Sequence, residues 1–553
     1  MARSARFWIV LLPLLAGASL VYLAGNNTVA LWDRDEPLYA ESSREMLQSG
    51  DWVVPKFLGE WRLEKPPLIY WCQAASMALL GTTEGAVRLP STLAVVVTAL
   101  TIALVVRHCV GDRRALWTVF IFCTCGLAIA ASKFCITDAM LSLFVIGGQA
   151  CLAVMYAAAG RGRNAPLWVA AAFWITVGLA GLTKGPQVVG MHAMTLLILL
   201  LLDVGPRMGD AAAWSAAMRW WRQTRPLIGV PILAMVLAPW LVAVHRRAPG
   251  FVSELIHKAR LHASTSMDGH GEPPGYHLLL VFGTFFPWSL FLPITISRMW
   301  RNRRLPAIRF AAAMAAGPWL LMELVWTKLP FYVMPAFAGL SFLTADVLVR
   351  CLRGRCDELR RRGFAAMAAV WAVAALGLGA APWCMLLITR QLPRPGMIAL
   401  SVAAALYVGI VCLRFWQGRI FRAAVVMGVG SSMLIAILYT AILSNLQFAT
   451  LSRRLAADLP PEARGPKVPV TVIGYSEPSL VYYQGGGARR EPLSYLEKTP
   501  ASQWPRWFMI DQSDWRSIPA TLRVLLQPIA VEQGIVYSAN GRSQTILLLQ
   551  KTE

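Results

Sequence analysis

The sequence predicts a multi-pass α-helical membrane protein that ends in a small soluble α/β domain. Three observations carry this reading. The 553-residue chain is 57% hydrophobic and only 15% charged. Apolar runs of about 20 residues recur along it, the length that crosses a bilayer core. After Leu446 the composition changes to that of a soluble domain. The net charge of +23 would suit nucleic acid, but the arginines fall in short loops between apolar runs. That is the pattern of membrane orientation, so no nucleic-acid partner is expected. All ten cysteines lie between Cys72 and Cys412 without a CxxC spacing, so neither a zinc site nor a disulfide framework is expected.

The first apolar run, 7–24, is longer than a signal-peptide core and lacks a small-x-small cleavage site, so it reads as a helix. Others follow at 68–81, 88–107, 115–132, 138–158, 166–182, 186–203, 226–244, 277–297, 308–326, 330–349, 365–389, 397–414 and 421–445. The run 68–81 is too short to span. If it lies along the interface, the basic loops at 107–114, 161–163, 207–225, 298–309, 350–362 and 414–422 all fall on one side with Arg3 and Arg6. The expectation is about thirteen transmembrane helices, with the N-terminus cytoplasmic and the C-terminus outside. A membrane domain then covers 1–446, with long outer loops at 25–87 and 245–276, and an outer α/β domain covers 447–553. In that domain "VTVIGY" (470–475), "WFMIDQ" (507–512), "GIVYSA" (534–539) and "QTILLLQ" (544–550) read as strands and 513–528 as helix and loop. "YYQGGGARREP" (482–492) reads as a turn or loop.

Charge on the outer side is unusual. The first loop holds Asp33, Asp35, Glu36, Glu41, Lys56, Glu60, Arg62, Glu64 and Lys65, and the second holds Arg246, Arg247, Glu254, His257, Lys258, Arg260 and His262. Helix interiors read as almost free of charge. Lys133 and Lys184 follow hydroxyl residues at helix exits, where snorkelling to headgroups explains them. Lys328 and Tyr332 sit in "TKLPFYVMP", a Pro-broken segment suited to lining a cavity. Asp33 or Asp35 is positioned to cap the helix that "EPLYAESSREMLQ" suggests, with Pro37 in its first turn. One cap leaves the other acids unexplained, and a carboxylate beside cations at a membrane surface is a functional candidate. Glu64-Lys65 adds a second acid paired with a cation. Outward-facing lysine, arginine and tyrosine suit a lipid phosphate; a nearby carboxylate acts as base, cation ligand or anchor for a sugar hydroxyl. Together they suit glycosyl transfer from a lipid-linked phosphosugar, with cations stabilising the departing phosphate. No nucleotide cofactor is implied.

"RDEPLYAESSREMLQSGDWVVPKFLGEWRLEKPPLIYW" resembles the first outer loop of polyprenyl-phosphate-dependent transferases of the GT-C fold. It is most similar to the bacterial lipid A 4-amino-4-deoxy-L-arabinose transferases, relatives of the protein O-mannosyltransferases. "LTKGP" (182–186), "FPWS" (286–289) and "KLPFYVMP" (328–335) are similar too. The resemblance implies a multi-pass enzyme of the bacterial inner membrane with juxtamembrane helices in the first loop and a periplasmic α/β domain. It implies inverting transfer of aminoarabinose from undecaprenyl phosphate to lipid A, and hence lipopolysaccharide modification and polymyxin resistance. By the same resemblance Asp35 is the essential acid and Lys65, Arg260 and Tyr332 hold the donor phosphate, with Lys328, Tyr39 and Arg62 beside them. Glu64, the second catalytic candidate, and His257 are the implied ligands of a divalent metal. The family often has arginine where Leu38 stands, so that phosphate contact is missing or comes from Arg34 or Arg62. The second loop is only loosely similar, which leaves the acceptor open. The alternatives are a hexosyl or mannosyl transferase acting on protein or glycan, and a transporter of an anionic lipid.

Overall fold

The computed structural model describes residues 2–205, 208–265, 271–354, 362–389 and 395–552. The centre of the second expected outer loop, 266–270, lies outside the described residues. Among those described, eleven helices are long and apolar enough to cross a membrane, and a bent pair makes twelve. The bent pair is Tyr276–Thr284 and Trp288–Arg301, which meet at 116° around Pro287, so the expected run 277–297 is not one straight helix. The expected run 115–132 is also broken: Asp112–Thr124 and Gly126–Ala131 are separated by Cys125 in an extended conformation, and neither reaches spanning length. The run 330–349 begins as a 3₁₀ turn, Pro330–Ala336, before the α-helix Phe337–Cys351, because Pro335 has no N–H to give an α-helical turn. Leu68–Leu80 has 13 residues, about 20 Å long at 1.5 Å per residue, against a core of about 30 Å. It is therefore too short to span, as its sequence predicts.

The chain divides into two compact units. One comprises Met1–Ala24, Leu63–Ile69 and Arg88–Tyr439 and holds the long apolar helices; the other comprises Gly25–Arg62, Tyr70–Val87 and Thr440–Glu553. In the first unit small residues set close helix approaches. A Cβ on Gly317 would meet Thr195 Oγ1 at 2.3 Å, and one on Gly339 would meet the Ala311 carbonyl at 2.5 Å, the small-residue packing that membrane helices use in place of hydrophobic drive. Two acids near its helix ends are paired with arginines. Asp346 accepts from Arg114 Nε at 2.9 Å and from Arg298 Nε at 2.7 Å, and Asp203 pairs with Arg309. Each acid near a helix end is neutralised by a neighbouring helix, which is what low dielectric demands. Cys351 is disulfide-bonded.

In the second unit, helix Asp35–Ser49 ends on Gly50, whose φ of 69° supplies the left-handed cap. A short hairpin follows: β1 (Lys56–Phe57) pairs antiparallel with β2 (Glu60–Trp61). The rest is a five-stranded sheet of β3 (Val470–Ile473), β4 (Ala488–Arg490), β5 (Trp507–Asp511), β6 (Leu526–Val536) and β7 (Arg542–Lys551), in the order β4-β3-β5-β7-β6. β4, β3 and β5 are parallel; β7 and β6 are antiparallel. Alternation splits the core between two faces. Trp507, Met509, Ile546 and Leu548 pack with Leu451 and Leu455 on one, while Phe508, Ile510, Leu547 and Leu549 pack with Leu496 and Trp504 on the other. Two sequence expectations are corrected. The segment read as a turn or loop holds the end of helix Pro478–Gln484 and then β4, and β6 starts at Leu526, inside the stretch assigned to helix and loop. Short helices at Gln512–Ser517 and Ala520–Arg523 account for the remainder.

Candidate active site

Asp35 is the first residue of helix Asp35–Ser49 and is exposed. The N-cap position is Arg34, with no side-chain capping bond, so neither Asp33 nor Asp35 caps this helix. The neighbouring acids are committed elsewhere. Glu36 Oε2 accepts the Trp32 N–H at 3.0 Å, closing the turn that enters the helix. Asp33 Oδ1 accepts the Ser479 N–H at 2.8 Å, and its Oδ2 accepts from the Ser479 hydroxyl. The expectation that Asp33 or Asp35 caps the helix is therefore corrected. Asp33 joins the first loop to the C-terminal sheet region within one unit, and Glu36 ties the helix to the backbone that precedes it.

Further bonds hold the helix in register. Buried Arg44 pairs with buried Glu41 and donates to the Tyr482 carbonyl at 2.8 Å. Tyr483 Oη accepts the Leu31 N–H at 2.8 Å and donates to Glu84 at 3.2 Å. Ser43 Oγ donates to Gln73 at 2.8 Å, tying Leu68–Leu80 to the same helix. Tyr39 and Arg62, both buried, are brought together: the guanidinium lies 4.6 Å from the Tyr39 ring centroid, and Tyr39 stacks on Tyr70.

Burial, and next the negative charge of Glu477, push the Asp33 carboxyl up to about 8. Its folded pKa exceeds the unfolded 3.8, so its contribution to stability is complete below about 3.8 and is lost as pH rises through about 8. The melting temperature of the detergent-solubilised full chain is expected to fall between pH 5 and 9, and Asp33→Asn is expected to flatten that slope. An unchanged slope in Asp33→Asn would refute the assignment.

The other predicted residues belong to the first unit. Glu64 and Lys65 are half-buried, and Glu64 lies 3.9 Å from Lys258 on helix Phe251–Ser264. His257 and Arg260 are exposed on that helix. Lys328 is buried and donates to the Glu272 carbonyl at 2.8 Å, while Gly271 bridges Thr327. The end of the second loop is thereby stitched onto the Pro-broken segment. Tyr332 receives the Lys184 ammonium over its ring at 4.0 Å, and Lys184 bonds Asp138 at 2.6 Å.

Lys184 and Lys133 do not snorkel. Both are buried: Lys184 pairs with Asp138, and Lys133 donates to the carbonyls of Tyr22 and Ala24. Sequence reasoning missed Asp138 and the fully buried Arg88. Each is a lone charge at the edge of an apolar run, which was the available signal. Among the described residues no three His, Cys, Asp or Glu side chains come together as a metal site.

A family model described as dolichyl-phosphate-mannose-protein mannosyltransferase matches residues 8–252. The undecaprenyl phosphate-alpha-4-amino-4-deoxy-L-arabinose arabinosyl transferase of Pseudomonas paraeruginosa is 30% identical over 357 residues, 63% of this chain and 61% of that protein. The protein of the same name from Serratia proteamaculans is 27% identical over 418 residues, 74% of this chain and 72% of its own. The chain thus spans about three fifths of the length of the Pseudomonas relatives it matches. The crystal structure of ArnT from Cupriavidus metallidurans bound to undecaprenyl phosphate superposes with a TM-score of 0.78 over 98% of both chains at 20% identity; its apo state gives 0.73. The chain is thus similar in sequence to these arabinosyl transferases and shares the fold of the ArnT crystal structure.

Proposed function

We propose that the chain is an inverting glycosyltransferase that moves 4-amino-4-deoxy-L-arabinose from undecaprenyl phosphate to a lipid A phosphate. The fold match over 98% of both chains to a protein crystallised with undecaprenyl phosphate carries this reading. The names of the sequence relatives supply the sugar. Lys65, Arg260 and Tyr332 are the groups for the donor phosphate. Negative charge grows on that phosphate as the glycosidic bond breaks, and preorganised cations stabilise it without reorganising solvent. Arg62, held on Tyr39, takes the role left open by Leu38. Lys328 positions the second loop. Asp35, the acid left free by the commitments of Asp33 and Glu36, aligns the acceptor. A lipid A phosphate monoester, with a second pKa of about 6, is already nucleophilic at neutral pH and needs positioning more than deprotonation. The basic loops support an N-terminus on the cytoplasmic side and a C-terminal domain on the outer side, and the likeness to the arabinosyl transferases supports the bacterial inner membrane.

Mass spectrometry of lipid A from a strain lacking its own transferase, with and without this chain on a plasmid, tests the proposal. An aminoarabinose increment with gained polymyxin resistance is expected. Unchanged lipid A would shift the reading to a hexosyl or mannosyl acceptor reaction. A divalent ion on Glu64 and His257 is a separate proposal, supported only if chelation removes activity and added metal restores it.

A further inference from the structure

The first unit contains a cavity of about 550 Å³ that belongs to none of the candidate active-site residues. It lies between helices Glu84–Val110, Thr137–Gly160, Ala211–Arg222, Pro306–Leu324 and Phe337–Cys351. The volume arises from small side chains. Ala150, Ala153, Ala157 and Gly339 line it where larger residues would close the space between helices. Its size falls in the range of small-molecule sites.

The polar groups gather at one rim. Tyr156 Oη donates to Asp203 at 2.8 Å, and Arg309 pairs with the same carboxylate. That acid is spent. Arg161 and Arg219 also line the cavity, are exposed to its mouth, and add two positive charges; Asp203 is the only acid among the described lining residues. The rim therefore carries three arginines against one aspartate. Arg161 precedes helix Leu167–Lys184, and Lys184 ends it. Eighteen residues at 1.5 Å each separate the two ends by about 27 Å, nearly the thickness of the hydrocarbon core. The cavity thus opens at the membrane face opposite the Lys184–Asp138–Tyr332 cluster.

We propose that this cavity binds one anionic phospholipid from the arginine-rich leaflet, its acyl chains in the alanine-lined space and its phosphodiester against Arg161 and Arg219. A basic pocket between transmembrane helices recognises a lipid headgroup by charge, and an apolar floor at membrane depth suits a hydrocarbon chain. The surplus positive rim distinguishes the occupant from a zwitterionic lipid. The site's position among helices distinguishes it from lipid coating the perimeter.

Native mass spectrometry of the full chain, released from detergent with graded phosphatidylglycerol or phosphatidylcholine, tests this. One phosphatidylglycerol is expected to be retained in preference to phosphatidylcholine. Each of Arg161→Gln and Arg219→Gln is expected to weaken retention about fivefold, and Ala153→Leu to reduce it for either lipid by filling the floor. Both arginines are surface residues, so an unchanged melting temperature verifies folding. Equal retention of the two lipids, or a preference that survives the double arginine variant, would show perimeter lipid only and overturn the proposal. Displacement of phosphatidylglycerol by equimolar undecaprenyl phosphate would overturn the choice of occupant.

Discussion

Asp35→Asn is expected to abolish sugar transfer, a loss of about 10²- to 10⁴-fold, while the protein inserts and folds normally. The folding half of this expectation follows from geometry: Asp35 is exposed at a helix start, makes no capping bond, and leaves the neighbouring acids to hold the loop. Steady-state transfer to lipid A by the purified variant, with melting temperature as control, checks both halves. The pH dependence separates two roles. If the acceptor is a phosphate monoester already ionised at neutral pH, raising pH does not rescue the variant. Strong rescue at high pH would mean that Asp35 is a base for a hydroxyl acceptor, and the lipid A reading would fall.

Asp138→Ala is expected to cost about 3–5 kcal/mol of stability, because it leaves the Lys184 ammonium buried without its counter-charge. The measurement is thermal or denaturant unfolding of the solubilised protein, read by tryptophan fluorescence. The double variant Asp138→Leu/Lys184→Met removes both charges and is expected to recover most of the loss, since well-packed apolar pairs replace buried ion pairs at little cost. Transfer activity then separates structure from chemistry. Lys184 sits over the Tyr332 ring, so a stable but slow double variant assigns the pair to holding Tyr332 in position. A double variant that is both stable and fully active would confine the pair to packing.

Much of this molecule is legible without coordinates. The short run at 68–81 and the strands of "WFMIDQ" and "QTILLLQ" are local patterns, and each appears where its period and length place it. The misreadings have a common cause. Cys125 and Pro287 interrupt runs that hydropathy alone treats as continuous, because backbone geometry is not a function of apolarity. Lys133 and Lys184 look like snorkelling residues because their partners, Tyr22 and Asp138, lie 111 and 46 positions away. Asp33 looks like a helix cap because Ser479 is 446 positions distant.

By itself, then, the sequence determined the class of protein and the order of its apolar helices. These depend on composition and charge within windows of about 20 residues, the scale on which a bilayer selects a segment. Only the tertiary structure decided which charges are spent on folding and which are left for chemistry. In a medium of low dielectric every buried charge must find a partner, and those partners come from helices and strands that the chain brings together only when it folds.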